Sequence, residues 1–270
     1  MCIRDRFLNN PITTDWTPWL ATGYEWRNNN KKLLFNIRSG VEWSDGKPFS
    51  AHDVAYTFNL MKKFPALDSR NSWGFLKSVI AISDTVIEVD FKRVYVPGFE
   101  AIAGAPIIPK HIWSKLDDPL DFSNPNPVGT GPYTEVLRFN SQIWELGKNP
   151  NYWQPGKPYV EKLIFPTFST NEQTTLALLS GNLDWAGAFI PAIQRIFVDK
   201  NPEQHHYWFR NTGYSTFLHT NTKDPILKDP NVRKAISYAI NRDQVVKVGM
   251  YDYTTPVSYT HLRAHETNSN

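Results

Sequence analysis

Four carboxylates are candidates for acid–base work on a glycosidic bond: Asp45, Asp53, Glu172 and Asp184. Such hydrolysis runs on a facing pair of Asp or Glu side chains. Three of the four already have local duties. Asp45 sits in the Ser44-Asp45-Gly46 turn, and Asp53 follows Ser50 at the spacing of a capping box. Glu172 falls in the first turn of a predicted helix, where a negative charge suits the dipole. Asp184 alone has no evident local role. A serine nucleophile would call for a GxSxG elbow, which the chain lacks. His205 and His206 are adjacent, and neighbours on a strand point to opposite faces, so they do not chelate one ion. One is expected buried and the other exposed. Cys2 is the only cysteine, which rules out a disulfide framework and a cysteine-based metal site. It also lacks the preceding apolar segment that a lipid-anchor processing site needs. The glycines of Asn124–Tyr133, NPNPVGTGPY, do not follow the GxxxxGK[ST] spacing of a phosphate loop. No enzyme, metal or cofactor is therefore expected, and binding is what remains.

The elements that would position a binding surface are readable from period and punctuation. Leu33, Phe35 and Ile37 alternate as a half-buried strand; Ser39-Gly40 breaks it, and Val41 and Trp43 return to the same core. Ala51, Val54, Ala55, Phe58 and Met61 then mark one face of a helix that Pro65 stops. Asn28 to Asn30 reads as a hairpin turn. Thr85–Phe91, Tyr133–Arg138, Gln142–Leu146 and Val160–Phe165 read as strands, and 67–77 as a loop carrying Trp73 and Phe75. Thr170 to Gln173 is a second capping box, opening a helix with Leu176 and Leu179 inward and Gly181 at its end. Pro191 opens a short helix with Ile193, Ile196 and Phe197 on its apolar face. Residues 205–209 and 214–218 are candidate strands. Asp229-Pro230 caps a helix bearing Val232, Ala235, Ile236 and Ala239. Three prolines and two glycines within NPNPVGTGPY exclude helix or central strand there.

With 270 residues, 41% apolar and 20% charged, the chain can bury a large core or two ordinary ones. A net charge of +3 is too slight to argue for nucleic acid or an anionic membrane. No apolar run approaches the roughly 20 residues that span a bilayer.

Taken as a string, the stretch from Leu33 to Lys63 resembles the signature of the family-5 solute-binding proteins of ABC importers, which include peptide-, nickel- and oligosaccharide-binding receptors. The matching residues are Phe35, Arg38, Gly40, Val41, Trp43, Ser44, Asp45, Gly46, Pro48, Ala51, Asp53, Val54 and Phe58. GTGPY at 129–133, the NPNYW and GKPY strings at 149–159, GNLDWA at 181–186 and NVRKAISYAINRDQVVK at 231–247 extend the likeness.

This resemblance implies an α/β fold of the type II periplasmic-binding-protein kind (cluster C), with mixed sheets. It implies a main lobe in two parts (7–34 and 129–228), an inserted α/β subdomain (35–128) and a truncated start of the second lobe (229–256). MCIRDR at 1–6 and the stretch 257–270 match nothing in the family and read as adapter-like artefactual tails around an internal fragment. The resemblance further implies a monomer outside the cytoplasm, in the periplasm or on the outer face of the membrane as a lipoprotein. It would hand an oligopeptide, or alternatively an oligosaccharide, to ABC permease subunits, with no nucleic acid involved. It places Trp185, Gly187 and Phe189, after a G-x-x-D strand, on the wall of the ligand cleft. Tyr214 would lie on a strand leading to the second lobe, and Trp73 at the cleft rim. Each of these aromatics could instead be packing in a core. Gly187 would let ligand approach bare backbone.

Overall fold

The computed structural model describes residues 7–9, 16–208 and 218–253, which fall into two compact units divided after Thr167. In the first unit β1 (Phe7–Asn9) and β2 (Trp16–Pro18) form a short ribbon. β3 (Ala21–Arg27) and β4 (Lys32–Ile37) follow as a hairpin. Asn28, Asn29 and Asn30 turn it with φ of 51°, 49° and 60°, a left-handed region that asparagine tolerates better than other side-chain-bearing residues. Leu33, Phe35 and Ile37 point into the core as their alternation predicts, and Val41 and Trp43 rejoin them beyond the break at Gly40. The 43–47 turn closes by two backbone bonds, Trp43 N–H to Lys47 O and Gly46 N–H to Trp43 O.

Helix α1 (Ala51–Lys63) starts on the predicted capping box. Ser50 Oγ accepts from the His52 N–H, and Asp53 Oδ2 accepts from the Ser50 N–H at 3.0 Å. Its buried face carries Ala51, Val54 and Phe58 and packs on β5 (Leu76–Ser83) and β6 (Val86–Phe91). The sheet order is β3-β4-β6-β5. Short helices α2 (Gly98–Ala103) and α3 (Lys110–Trp113) follow. Asp53 Oδ1 accepts from the Lys110 N–H at 2.9 Å, so the cap residue also anchors the start of α3.

The Pro/Gly-rich stretch 124–132 holds neither helix nor strand and lies against the signature turn. Ser44 N–H donates to Gly129 O at 2.8 Å, Gly129 N–H to Ser44 Oγ at 3.3 Å, and Asn151 Nδ2 to Ser44 O at 3.2 Å. A three-stranded sheet follows, β7 (Tyr133–Phe139), β8 (Ile143–Lys148) and β9 (Lys162–Pro166). On one face Phe139, Trp144 and Phe165 stand opposite one another across the strands; on the other, buried Glu145 meets Arg138 and Lys162.

One expectation changes here. Every described ladder is antiparallel rather than mixed; at three of them the connections, 28–31, 84–85 and 140–142, are too short for the crossover that parallel pairing needs. The border placed between 34 and 35 falls inside β4, whose residues on both sides of it pair with β6. One ladder therefore spans the proposed division.

The second unit contains α4 (Asn171–Leu179), α5 (Ile193–Ile196), α6 (Pro230–Ala239) and α7 (Arg242–Gly249). Thr170 caps α4, but Gln173 returns its side chain to the Ser169 N–H instead of that of Thr170. Gly181, at φ 72°, ends the helix in a Schellman turn in which Asn182 N–H reaches Ala177 O. Leu176 and Leu179 do not face inward; they are 66% and 43% exposed, and Leu178 is the buried leucine. Leu178 is drawn in by Ile190, Ile193 and Phe197, partners that no helical period within 171–179 encodes. Pro191 lies just before the cap of α5, at Ala192, not in its first turn.

Candidate functional site

The segment between α4 and α5 carries three of the residues singled out from sequence. Its backbone is irregular, where the resemblance implied a G-x-x-D strand. No strand of the second unit is described beside it, so it has no ladder to join. Period-two alternation survives all the same: Ala186, Ala188 and Ile190 pack toward Leu178 and Ile193, while Trp185 and Gly187 face outward.

Trp185 is 62% exposed, a large apolar surface for a residue that usually hides its ring. Its ring reaches back over Gly187, where a Cβ would stand 3.2 Å from the indole. The bare backbone expected to meet ligand is thus the seat of the tryptophan. Asp184 beside it is exposed and makes no ion pair or hydrogen bond among the described residues.

Phe189 is half-buried and lies between two tyrosines missed in the sequence, with centroids 6.3 Å from Tyr251 and 6.2 Å from Tyr253. Tyr253 Oη accepts from the Ile193 N–H at 2.9 Å, which pins this tyrosine to the first turn of α5. Tyr251 and Asp252 hold φ of 51° and 58°, and Ala192 holds 49°. Side-chain-bearing residues adopt this region only where the surroundings enforce it. The only sequence signal for the tyrosines was the Tyr-Asp-Tyr spacing after α7, which has no period to read.

Tyr214 lies outside the described residues, as do the second candidate strand's residues up to 217 and both expected tails. Residues 205–208 form no strand. His205 stacks on Phe197 at 4.0 Å with its Nδ1 2.8 Å from Phe197 O, and His206 is exposed.

Trp73 belongs to the first unit. Its Nε1–H donates to Phe58 O at 2.8 Å, Asp68 Oδ2 accepts its backbone N–H, and Lys62 Nζ lies 4.6 Å from its ring centre. These contacts fasten the ring to the end of α1. Asp45 has a partner that sequence did not suggest, His111 Nε2 at 2.6 Å, 66 residues away. Among the described residues no helix is long and apolar enough to cross a membrane, and no cluster of His, Cys, Asp and Glu is arranged to hold a metal.

Residues 15–263 match the bacterial extracellular solute-binding proteins, family 5 Middle, and the chain belongs to that family. The match extends into the 257–270 stretch read from sequence as a tail. Protein XP55 of Streptomyces lividans is 29% identical over 219 residues, covering 80% of this chain and 39% of that protein. The glutathione-binding protein GsiB of Shigella flexneri is 25% identical over 244 residues, covering 88% and 46%. A periplasmic oligopeptide-binding protein of Thermotoga maritima, solved with mannohexaose bound, superposes with a TM-score of 0.79 at 29% identity, covering 93% of this chain and 48% of that one. The chain spans less than half the length of these relatives. Members of the family are extracytoplasmic binding proteins of ABC transporters, not enzymes.

Proposed function

We propose that the whole protein captures a short peptide outside the cytoplasm and delivers it to an ABC permease, acting as a monomer, with Trp185 and Phe189 on one wall of its binding cleft. The observation that carries this is Trp185, whose exposed ring is seated on Gly187 and has no covering partner among the described residues. Peptide is favoured because one relative is a glutathione-binding and another an oligopeptide-binding protein. Oligosaccharide is the second reading, supported by the mannohexaose held by the latter and by the fit of a flat indole face to a sugar ring. Closure of two lobes around the ligand is the expected mechanism, because a ligand site gains most of its affinity by enclosing what it binds. Tyr214 and Trp73 remain assigned to the cleft wall and rim in this proposal. A lipid anchor on the outer face of the membrane is one form that its placement could take.

The test is calorimetry of the 270-residue chain, and of a longer form with the length of its relatives, against tripeptides and manno-oligosaccharides. The longer form is expected to bind one class tightly and the shorter chain weakly or not at all. Trp185→Ala in the longer form should weaken binding by about tenfold or more, the loss of one well-packed aromatic contact. Undiminished affinity in that variant would remove Trp185 from the wall. Binding of neither class would remove the ligand assignment.

A further inference from the structure

A second place in the molecule is furnished for a ligand, away from the aromatic segment and within the first unit alone. The end of α1, the 67–72 turn and the 105–113 segment enclose a pocket of roughly 210 Å³. A dry cavity of about 150 Å³ already accepts a benzene-sized guest, so this one suits a molecule somewhat larger. Its body is apolar, formed chiefly by Leu60, Met61, Leu67, Ile108 and Trp113.

Three polar groups on the lining keep hydrogen-bonding capacity to spare. Ser72 is 1% exposed, yet its hydroxyl makes no hydrogen bond among the described residues. Arg70 donates from one terminal nitrogen to Glu100 O at 3.0 Å and pairs with no carboxylate among the described residues. Asp68 uses Oδ2 on the Trp73 N–H and leaves Oδ1 without a partner among the described residues. A guanidinium, a carboxylate and a hydroxyl around an apolar body match an α-carboxylate, an α-ammonium and an aliphatic side chain.

We propose that this pocket binds a free apolar α-amino acid of leucine size, its carboxylate on Arg70 and Ser72, its ammonium on Asp68, and its side chain between Leu60, Met61 and Trp113. Titration of the 270-residue chain with L-leucine, followed by calorimetry and by amide chemical shifts, tests it. Saturable one-site binding is expected, with shifts at 57–72 and 105–113. Isocaproate, which lacks the ammonium, and isoamylamine, which lacks the carboxylate, should each bind about tenfold more weakly or worse, the cost of an unmet charged hydrogen bond. Arg70→Gln should weaken leucine to the same degree and leave isoamylamine unchanged, and Trp185→Ala should leave leucine unchanged. Because the analogue series uses the unaltered chain, it stands even if a variant fails to fold. Absence of saturable leucine binding at millimolar concentration overturns the proposal. So do analogues that bind as well as leucine, which would make the pocket a plain apolar cavity. Loss of leucine binding in Trp185→Ala, with its shifts at 185–189, would move the site to the aromatic segment and overturn it equally.

Discussion

Trp43→Ala measures how far the signature turn holds the first unit together. The indole is 1% exposed within the core cluster that also holds Val41, Phe49, Val54 and Phe58, with the Phe49 ring edge-on at 5.5 Å. A buried tryptophan removes about 200 Å² from water. At about 25 cal/mol/Å² that contributes about 5 kcal/mol. Against this, its Nε1–H is buried without an acceptor among the described residues, which costs about 1–2 kcal/mol. The net is about 3–4 kcal/mol, in the range of measured Trp→Ala truncations. Trp43→Phe separates the two contributions, because it keeps most of the ring and deletes the unsatisfied donor. Its cost should be about 1–2 kcal/mol, well below that of alanine. Urea unfolding of both variants, with the slope checked for constancy, gives the numbers. An alanine variant within about 1 kcal/mol of the parent, or a phenylalanine variant as damaged as alanine, refutes the reasoning.

Three further outcomes are expected. Asp53→Ala strips acceptors from the Ser50 and Lys110 N–H groups together and should cost about 2–3 kcal/mol, while Asp53→Asn, which keeps one oxygen, should cost about half as much; equal costs in urea melts would show that only one bond matters. Gly187→Ala should shift the Trp185 indole N–H resonance and change stability by less than about 0.5 kcal/mol, since the added methyl displaces an exposed ring; an unmoved resonance would mean the ring does not rest there. The Glu172 carboxyl is held below its ordinary range, first by its own backbone N–H and then by the Thr170 side chain. With the folded value depressed, its support for α4 is full above the unfolded value and fades as pH falls through the folded one. A side-chain NMR titration giving an ordinary or raised midpoint contradicts that.

What could be read from sequence was whatever a dozen neighbouring residues decide among themselves. The 33–63 strand, turn and capped helix is of this kind: its alternation, its Gly46 and its Ser50/Asp53 spacing each need only local geometry. Orientation against distant partners was not legible. Leu176, Leu178 and Leu179 lie within one helical turn, and only Ile190, Ile193 and Phe197 decide which is buried. β5 escaped notice because LKSVIAIS at 76–83 mixes Lys and Ser with a run of apolar residues, giving no clean period. At the candidate site Trp185 and Phe189 could be named from the family likeness. Tyr251 and Tyr253 could not, since they reach Phe189 from some sixty residues away through three left-handed backbone positions.

The bonds made by Ser44 carry a consequence for timing. One partner, Gly129, lies 85 residues downstream and another, Asn151, lies 107 downstream. At about 5–20 residues per second of synthesis, the Trp43 turn waits about 5–20 s between its own emergence and that of its last partner. Through that interval Trp43 has its local neighbours Val41 and Phe49, but the turn lacks the bonds that lock its outer edge. A pause or a chaperone acting while residues 44 to 151 emerge therefore acts while this edge of the turn is still open.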